Sequence, residues 1–394
     1  MRNKRILMVG GTETLDYFSR EMEKEFRRLG YETFLFDQEQ EEESAEKLAH
    51  FAGYSDSILV TFNFDGLRYE TSLFDGFGNL FWEERDIPCV NIAVDHPFFY
   101  PEFLDIQPEN FHGVSIDRYH QKYLQKFYPH ISSDRFLPLG GTSLHPQGDF
   151  IPLSQRRYDL VFTGNYTPKE TFDKYIYRLG DEYAQFYLRI IEELISYPDK
   201  PDDLVMEDHL RQQFPDATDA EVAEVIANMI FIDTYIRNYY RGEVVKKLVD
   251  GGISVHCIGH GWDKLDCASP ENLSYEKNQY SLACLQRIAD ARISLNVMPW
   301  FKDGAHDRVF NAMANGSLCL TDHSIYLDEI LTDGENVVFY DLKNLDALPE
   351  LTKDLLADQA RMERIAKNGY DLAMREHTWA CRVRELEEML LKKL

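Results

Sequence analysis

Short apolar runs that alternate with amphipathic helical stretches constrain this chain more than any other feature. RILMVGG (Arg5–Gly11), TFLFD (Thr33–Asp37), SILVTFN (Ser57–Asn63), CVNIAVD (Cys89–Asp95), GVSID (Gly113–Asp117) and RFLPLGG (Arg135–Gly141) form one series. Each has the length of a strand, and helical patterns such as Leu15–Leu29, stopped by Gly30, fall between them. Apolar runs of this kind mark a parallel sheet buried on both faces, not a sandwich. A second series opens at YDLVFTGN (Tyr158–Asn165). It continues through SVHCIGHGW (Ser254–Trp262), ISLNVMP (Ile293–Pro299), SLCLTD (Ser317–Asp322) and ENVVFYD (Glu335–Asp341), with a helix over Asn278–Ala291. Two series in 394 residues predict two α/β domains, each large enough to bury its own core. The mixed-polarity segment Gln147–Arg157 divides them, giving residues 1–150 and 151–378.

Residues 168–247 break the alternation. They read as helix almost throughout, interrupted by the turn-and-cap signals YPDKPDD and FPDATDAE. So much helix between two strands exceeds an ordinary crossover. It reads equally as an insertion for acceptor or partner recognition and as a helical buttress.

Composition narrows the classes. Apolar residues make up 44% and aromatics 13%, too much for disorder. A net charge of −26 opposes a nucleic-acid partner and electrostatic adhesion to anionic lipid. No apolar run approaches the ~20 residues of a membrane span, and MRNKRILMVGG passes straight into a strand without the form of a signal peptide. The six cysteines show neither a CxxC pair nor metal-ligand spacing. The expectation is a reduced, cytoplasmic protein with no metal and no cofactor.

The segment WFKDGAHDRVFNAMANGSLCLTD (Trp300–Asp322) carries the densest chemistry. It reads as strand end, glycine loop, a helix from about Ala305 to Gly316, and a new strand. Such a helix start aims backbone N–H groups and a positive dipole end at a phosphate. Gly304 and Ala305 supply the start; His306 and Arg308 add donors; Asp303 and Asn311 add groups that hold hydroxyls. The arrangement points to a sugar-nucleotide site.

These residues resemble the C-terminal signature of group-1 glycosyltransferases, in the branch grouped with the spore-maturation protein CgeB. Members read as a glycine–histidine–arginine loop, an Ala-Met-Ala-x-Gly helix and a strand ending in Thr-Asp. The likeness is specific over about Tyr275–Asp341. It implies the GT-B fold: two Rossmann-like parallel-sheet domains facing a cleft, the first on the acceptor side, the second binding the nucleotide sugar. The helical insertion falls in the second domain, and a last helix, 379–394, crosses back to the first. Two glutamates of related retaining transferases align on Asp303 and Asn311. Asp303 keeps the charge with a shorter reach, while Asn311 lacks the carboxylate that in relatives holds the ribose. Altered donor contacts follow from that substitution.

Ligands of open α/β sheets bind beyond the carboxyl ends of the strands. In the second domain those ends hold Gly164 and Asn165, then Gly259, His260, Gly261 and Trp262, then Met298 onward. Gly259 and Gly261 permit close backbone approach, or are plain turn glycines; Trp262 or Tyr275 is placed to stack on a base. In the first domain the ends hold Gly10 and Gly11, a weak dinucleotide signal without a full GxGxxG, with Asn63, Asp95 and His96. The resemblance implies that Gly10 and Gly11 form an acceptor-side loop and that His96 faces the donor sugar.

Taken together, the expectation is a hexosyl- or N-acetylhexosaminyltransferase using a UDP-sugar and a protein or cell-envelope glycan acceptor. His96, Asp303 and Arg308 are its catalytic candidates. The family analogy implies retention of configuration. The absence of any Asp-x-Asp separates the chain from metal-dependent transferases of the other common fold. Two rivals stand: a sugar-nucleotide epimerase, and a non-catalytic sugar-nucleotide-binding scaffold kept open by Asn311. Oligomeric state is not legible.

Overall fold

The structure is a computed structural model, and it describes residues 4–11, 13–53, 56–68, 70–105, 107–277 and 279–394. The chain forms two units: residues 1–139 joined by 379–394, and residues 140–378. The division falls at Leu139/Gly140, ahead of the expected 150/151 boundary. The reason is that Thr142 and Leu144 are hydrogen-bonded to the side chains of Asn311 and Asn315 in the second unit.

The first unit holds β1 (Arg5–Gly10), β2 (Glu32–Asp37), β3 (Ser57–Phe62), β4 (Cys89–Ala93), β5 (Phe111–Ser115) and β6 (Arg135–Phe136). They make one parallel sheet in the order β2-β1-β3-β4-β5-β6. β3 and β4 are buried at every position, as their unbroken apolar runs require. The helix Glu13–Leu29 buries Phe18, Met22 and Phe26, a stripe spaced four residues apart. The last helix, Trp379–Leu386, packs on it: the Trp379 ring lies 5.3 Å from Phe18 and 6.4 Å from Phe62. Arg382 donates to the Leu139 carbonyl at 3.2 Å, and Tyr31 to Glu387 at 2.7 Å.

The second unit holds β7 (Tyr158–Thr163), β8 (Val255–Ile258), β9 (Leu273–Glu276), β10 (Ala291–Leu295), β11 (Leu318–Asp322) and β12 (Val338–Tyr340). Its parallel sheet runs β12-β11-β10-β7-β8-β9. The chain builds outward from β7 to β9, then returns to start the other half at β10. β9 was not expected from sequence, because four residues at a sheet edge, only half-buried, carry little apolar signal. The expected helix over Asn278–Ala291 spans Ser281–Ala289; Asn278 lies outside the described residues.

Between β7 and β8 lie the helices Asp173–Ile176, Asp181–Ser196, Asp202–Gln213, Asp219–Ala227 and Ile230–Asp250. FPDATDAE forms a complete capping box: Thr218 accepts from the Glu221 N–H at 3.3 Å, and Glu221 accepts from the Thr218 N–H at 2.8 Å. YPDKPDD leads into the helix that starts at Asp202.

Trp379→Ala removes a buried indole from the seam between the first and last helices of the first unit. It should cost about 3–5 kcal/mol, read as a lower urea midpoint with an unchanged slope.

Candidate functional site

Both sheets reverse their building direction beside their first strand, and each reversal opens a crevice at the carboxyl ends of the flanking strands. In the second unit the reversal lies between β7 and β10. The loops above it are Gly164–Tyr166 and Asn296–His306.

Arg308 ties these two loops together. Its Nε donates to the Asn296 side-chain oxygen at 3.0 Å, Nη1 to the Thr163 carbonyl at 2.6 Å and Nη2 to the Val297 carbonyl at 3.3 Å. Burial lowers its pKa to about 10, so the guanidinium stays charged at neutral pH. Asn296 is held by Thr321 and by the Tyr340 hydroxyl, and the Met298 N–H donates to Asp322 at 2.9 Å. The Ser324 hydroxyl donates to the Gly304 carbonyl at 2.7 Å. Met298, Gly304 and Ala305 are therefore packed inside a loop whose path β11 and the segment after it dictate.

The helix begins at Asp307, not near Ala305. His306 is its cap: Nδ1 accepts from the Arg308 N–H at 3.3 Å and lies 2.5 Å from Asp307 Oδ1. Burial and the Arg308 charge push the His306 pKa down to about 4, against the pull of Asp307. Burial favours the protonated Asp307 acid, but His306 and Arg308 outweigh it and hold its pKa below the usual value. A carboxylate thus already sits at the positive end of the helix. That disfavours the expected phosphate contact at the helix start.

Asn311 has a structural task. Its oxygen accepts from the Thr142 N–H at 2.9 Å and its amide donates to Asp307 at 2.8 Å. Asn315, one turn on, repeats the pattern on the Leu144 N–H and the Thr142 carbonyl. Asp303 is buried in the loop before the cap.

The β7 and β8 loops interlock through their backbones. The Asn165 side chain accepts from the His260 N–H at 2.8 Å, and the Trp262 indole donates to the Gly164 carbonyl at 2.8 Å. At Gly261, with φ +87°, a Cβ would overlap the Tyr166 carbonyl oxygen. Gly259 is equally closed, against the carbonyl of Gly164. These glycines serve loop-to-loop packing. Trp262 stacks on Tyr166 and is 1% exposed, so its ring is internal, whereas Tyr275 is 50% exposed and Tyr280 85%. Tyr280 precedes the helix that packs on Asp307–Ala314.

Sequence reasoning missed two arginines beside this crevice. Arg237 and Arg241 lie one turn apart on the insertion's last helix, their guanidinium carbons 4.6 and 5.0 Å from the centre of the Trp300 ring. Arg237 pairs with Asp233 at 2.6 Å, and Arg241 donates to the Asn165 carbonyl at 3.0 Å. Burial, then repulsion from Arg308 and Arg237, drives the Arg241 pKa well below its ordinary value, against Asp233. The (i, i+4) spacing was visible, but nothing in sequence placed that helix face against Trp300.

In the first unit the reversal lies between β1 and β3, above which stand Gly10, Gly11 and Asn63–Gly66. Gly11 (φ +123°) donates to Asp16 at 3.0 Å. Asn63 and Phe64 hold positive φ of 44° and 66°, strain of the kind concentrated at functional sites. Asn63 clamps the β4 end, its oxygen on the Val94 N–H at 2.8 Å and its amide on Asp95 at 3.1 Å. His96 is buried, stacked 3.8 Å from Phe98 and edge-on to His120 at 4.5 Å. The structure thus groups Gly10, Gly11, Asn63, Asp95 and His96 in one unit. It groups Gly164, Asn165, Gly259–Trp262, Tyr275, Met298 and Asp303–Asn311 in the other.

Among the described residues, no cluster of three or more His, Cys, Asp or Glu side chains is placed to hold a metal ion. No described helix is long and apolar enough to cross a membrane.

Asp322 supplies a pH signature. Burial raises its pKa from 3.8 to about 7, against the Met298 N–H, Lys302 and Arg308. Above pH 4 the folded chain keeps a proton that the unfolded chain releases. The resulting stabilisation is complete below the unfolded pKa and is lost progressively as pH climbs through 7. Asp322→Asn removes this slope, which is roughly 1.4 kcal/mol for each pH unit inside that window. Melting curves at pH 5 and pH 8 should show the wild type losing ground to the variant at the higher pH.

Residues 241–388 match the model of a family described as glycosyl transferase-like. No curated protein matches the chain. Among solved structures, sucrose-phosphate synthase from Thermosynechococcus elongatus is 11% identical, covering 99% of each chain with a TM-score of 0.55. An alpha-glucosyltransferase in complex with UDP and a 13-mer DNA containing an HMU base is 10% identical, over 98% of this chain and 99% of that one, TM-score 0.57. AviGT4, a glycosyltransferase involved in avilamycin A biosynthesis, is 11% identical over 99% and 98%, TM-score 0.53. The two six-stranded parallel sheets match the fold of these structures, the GT-B architecture, and residues 241–388 of the second sheet's unit and last helix are similar to the glycosyl transferase-like family.

Proposed function

We propose that this chain is a glycosyltransferase moving a hexose or N-acetylhexosamine from a UDP-sugar to a protein or cell-envelope glycan. The observation that carries the reading is the cationic cluster at the β7/β10 crevice: Arg237 and Arg241 around Trp300, with Arg308 beside them. Asp233 pairs with Arg237, yet Arg241 still feels the repulsion of both other guanidinium groups. An anion joining them relieves that repulsion, and a nucleotide diphosphate has fitting charge. In the transfer the anomeric C–O bond to the diphosphate breaks and a C–O bond to the acceptor oxygen forms. The acceptor proton leaves with the diphosphate. Fixed donors aimed at the growing phosphate charge lower that barrier most, and Arg237 and Arg241 supply them. Arg308 holds the loops in place, while Asp303 and His96 take the sugar hydroxyls, as the resemblance implies. Tyr280 or Tyr275 offers the base a ring.

UDP is favoured because the similar alpha-glucosyltransferase structure contains it. The acceptor reading rests on the charge of −26, which opposes DNA. Retention of configuration, independence of metal and kinship with the CgeB branch come from the resemblance around Trp300–Asp322. One observation favours a non-catalytic sugar-nucleotide-binding protein instead: Asn311, at the ribose-holding position of relatives, is engaged by Thr142 and Asp307.

UDP and UDP-glucose should raise the melting temperature with or without EDTA, since ligand at 100 times its Kd adds about 2.7 kcal/mol. Arg241→Ala should abolish that shift. It should also lower UDP-sugar turnover by the ~100- to 1000-fold seen when a transition-state donor is lost. Binding without UDP release on any acceptor would favour the scaffold; no shift with any nucleotide would sink both readings.

A further inference from the structure

We infer that the helical insertion positions the Asp303 loop, and that Lys302 is the positioning residue through which it does so. Lys302 is almost completely buried, and its ammonium group donates to the Pro198 carbonyl at 2.7 Å and to that of Pro299. It also lies 3.7 Å from the carboxylate of Asp202, itself buried at the first turn of the helix Asp202–Gln213. Pro198 lies in the turn between two insertion helices and Asp202 begins the second of them; Pro299 belongs to the loop. The ammonium therefore joins the two.

A neighbouring residue repeats the join. Trp300 lies against Arg237 and Arg241 on the insertion's last helix. The two residues that bracket Phe301, directly ahead of Asp303, are thus each gripped by the insertion. A buttress needs only apolar contact there. Burying an ammonium is expensive unless it is paired and hydrogen-bonded. What it adds is direction: two carbonyls and a carboxylate define where the next residue must sit. A displacement of about 1 Å at a reacting group costs on the order of 100-fold in rate, so a rigid grip one residue from Asp303 has catalytic consequences.

The catalytic consequence rests on the transferase reading; the structural one does not, and the test separates them. In Lys302→Met, amide exchange over residues 298–306 should quicken while the rest of the second unit keeps its protection. UDP affinity by calorimetry should stay within about threefold, and UDP release from UDP-glucose should fall by about tenfold or more in kcat rather than KM. Asp202→Asn, which preserves shape, should show the same pattern more weakly and serves if the methionine variant does not fold. Unchanged exchange over 298–306 in a folded variant overturns the positioning role whatever the activity. Quickened exchange with wild-type kcat overturns its catalytic part. A wild-type chain that neither binds UDP nor releases it overturns the transferase reading alone, leaving the exchange result to decide the loop's dependence on Lys302.

Discussion

The candidate site depends on one buried cation. Arg308 lies where β7 and β10 part, and its three nitrogen donors are all committed to oxygens on the ends of those strands. Without it, two backbone carbonyls and the Asn296 amide oxygen would face an apolar interior unpaired, a state proteins avoid. With it, the crevice has a rigid floor. The cost of burying the guanidinium shows in its lowered pKa, and the Asp307 carboxylate on the same helix turn offsets part of that cost.

Around this floor the site recruits elements far apart in sequence. Asp322 orients Met298, Ser324 holds Gly304, and Asn165 latches the β8 loop. The insertion contributes from the opposite direction, with Arg237 and Arg241 against Trp300 and Asp202 near Lys302. Asp202, Asp307 and Asp322 contact the loop and its cap, while two guanidinium groups, one of them paired with Asp233, lie over Trp300. A chain with a net charge of −26 thereby keeps a local cluster of guanidinium groups.

Much of this was legible in the residues. Parallel sheets followed from the apolar runs because a strand covered on both faces cannot alternate. Trp300–Asp322 stood out by its polar density, and the capping box at Thr218 by its spacing. Other features were not legible. β9 is too short and too exposed to carry a pattern. The helix start moved two residues because His306, not the glycine loop, caps it, accepting from the Arg308 N–H in the first turn. The hydrogen bond from the Thr142 N–H to Asn311 was not legible, because Thr142 is distant in sequence.

By itself, then, the sequence determined most of the strands and helices, that two α/β units form, and which loop is rich in polar groups. These are local consequences of periodicity, glycine placement and capping chemistry, read from residues a few positions apart. Only the tertiary structure decided what each polar group is for. Arg308 became floor, Asn311 became clamp, and Arg237 and Arg241 became the cation pair around Trp300. The physical reason is that a hydrogen bond or a repulsion depends on which groups meet across the fold, and that meeting is set by strand order and helix packing rather than by spacing along the chain.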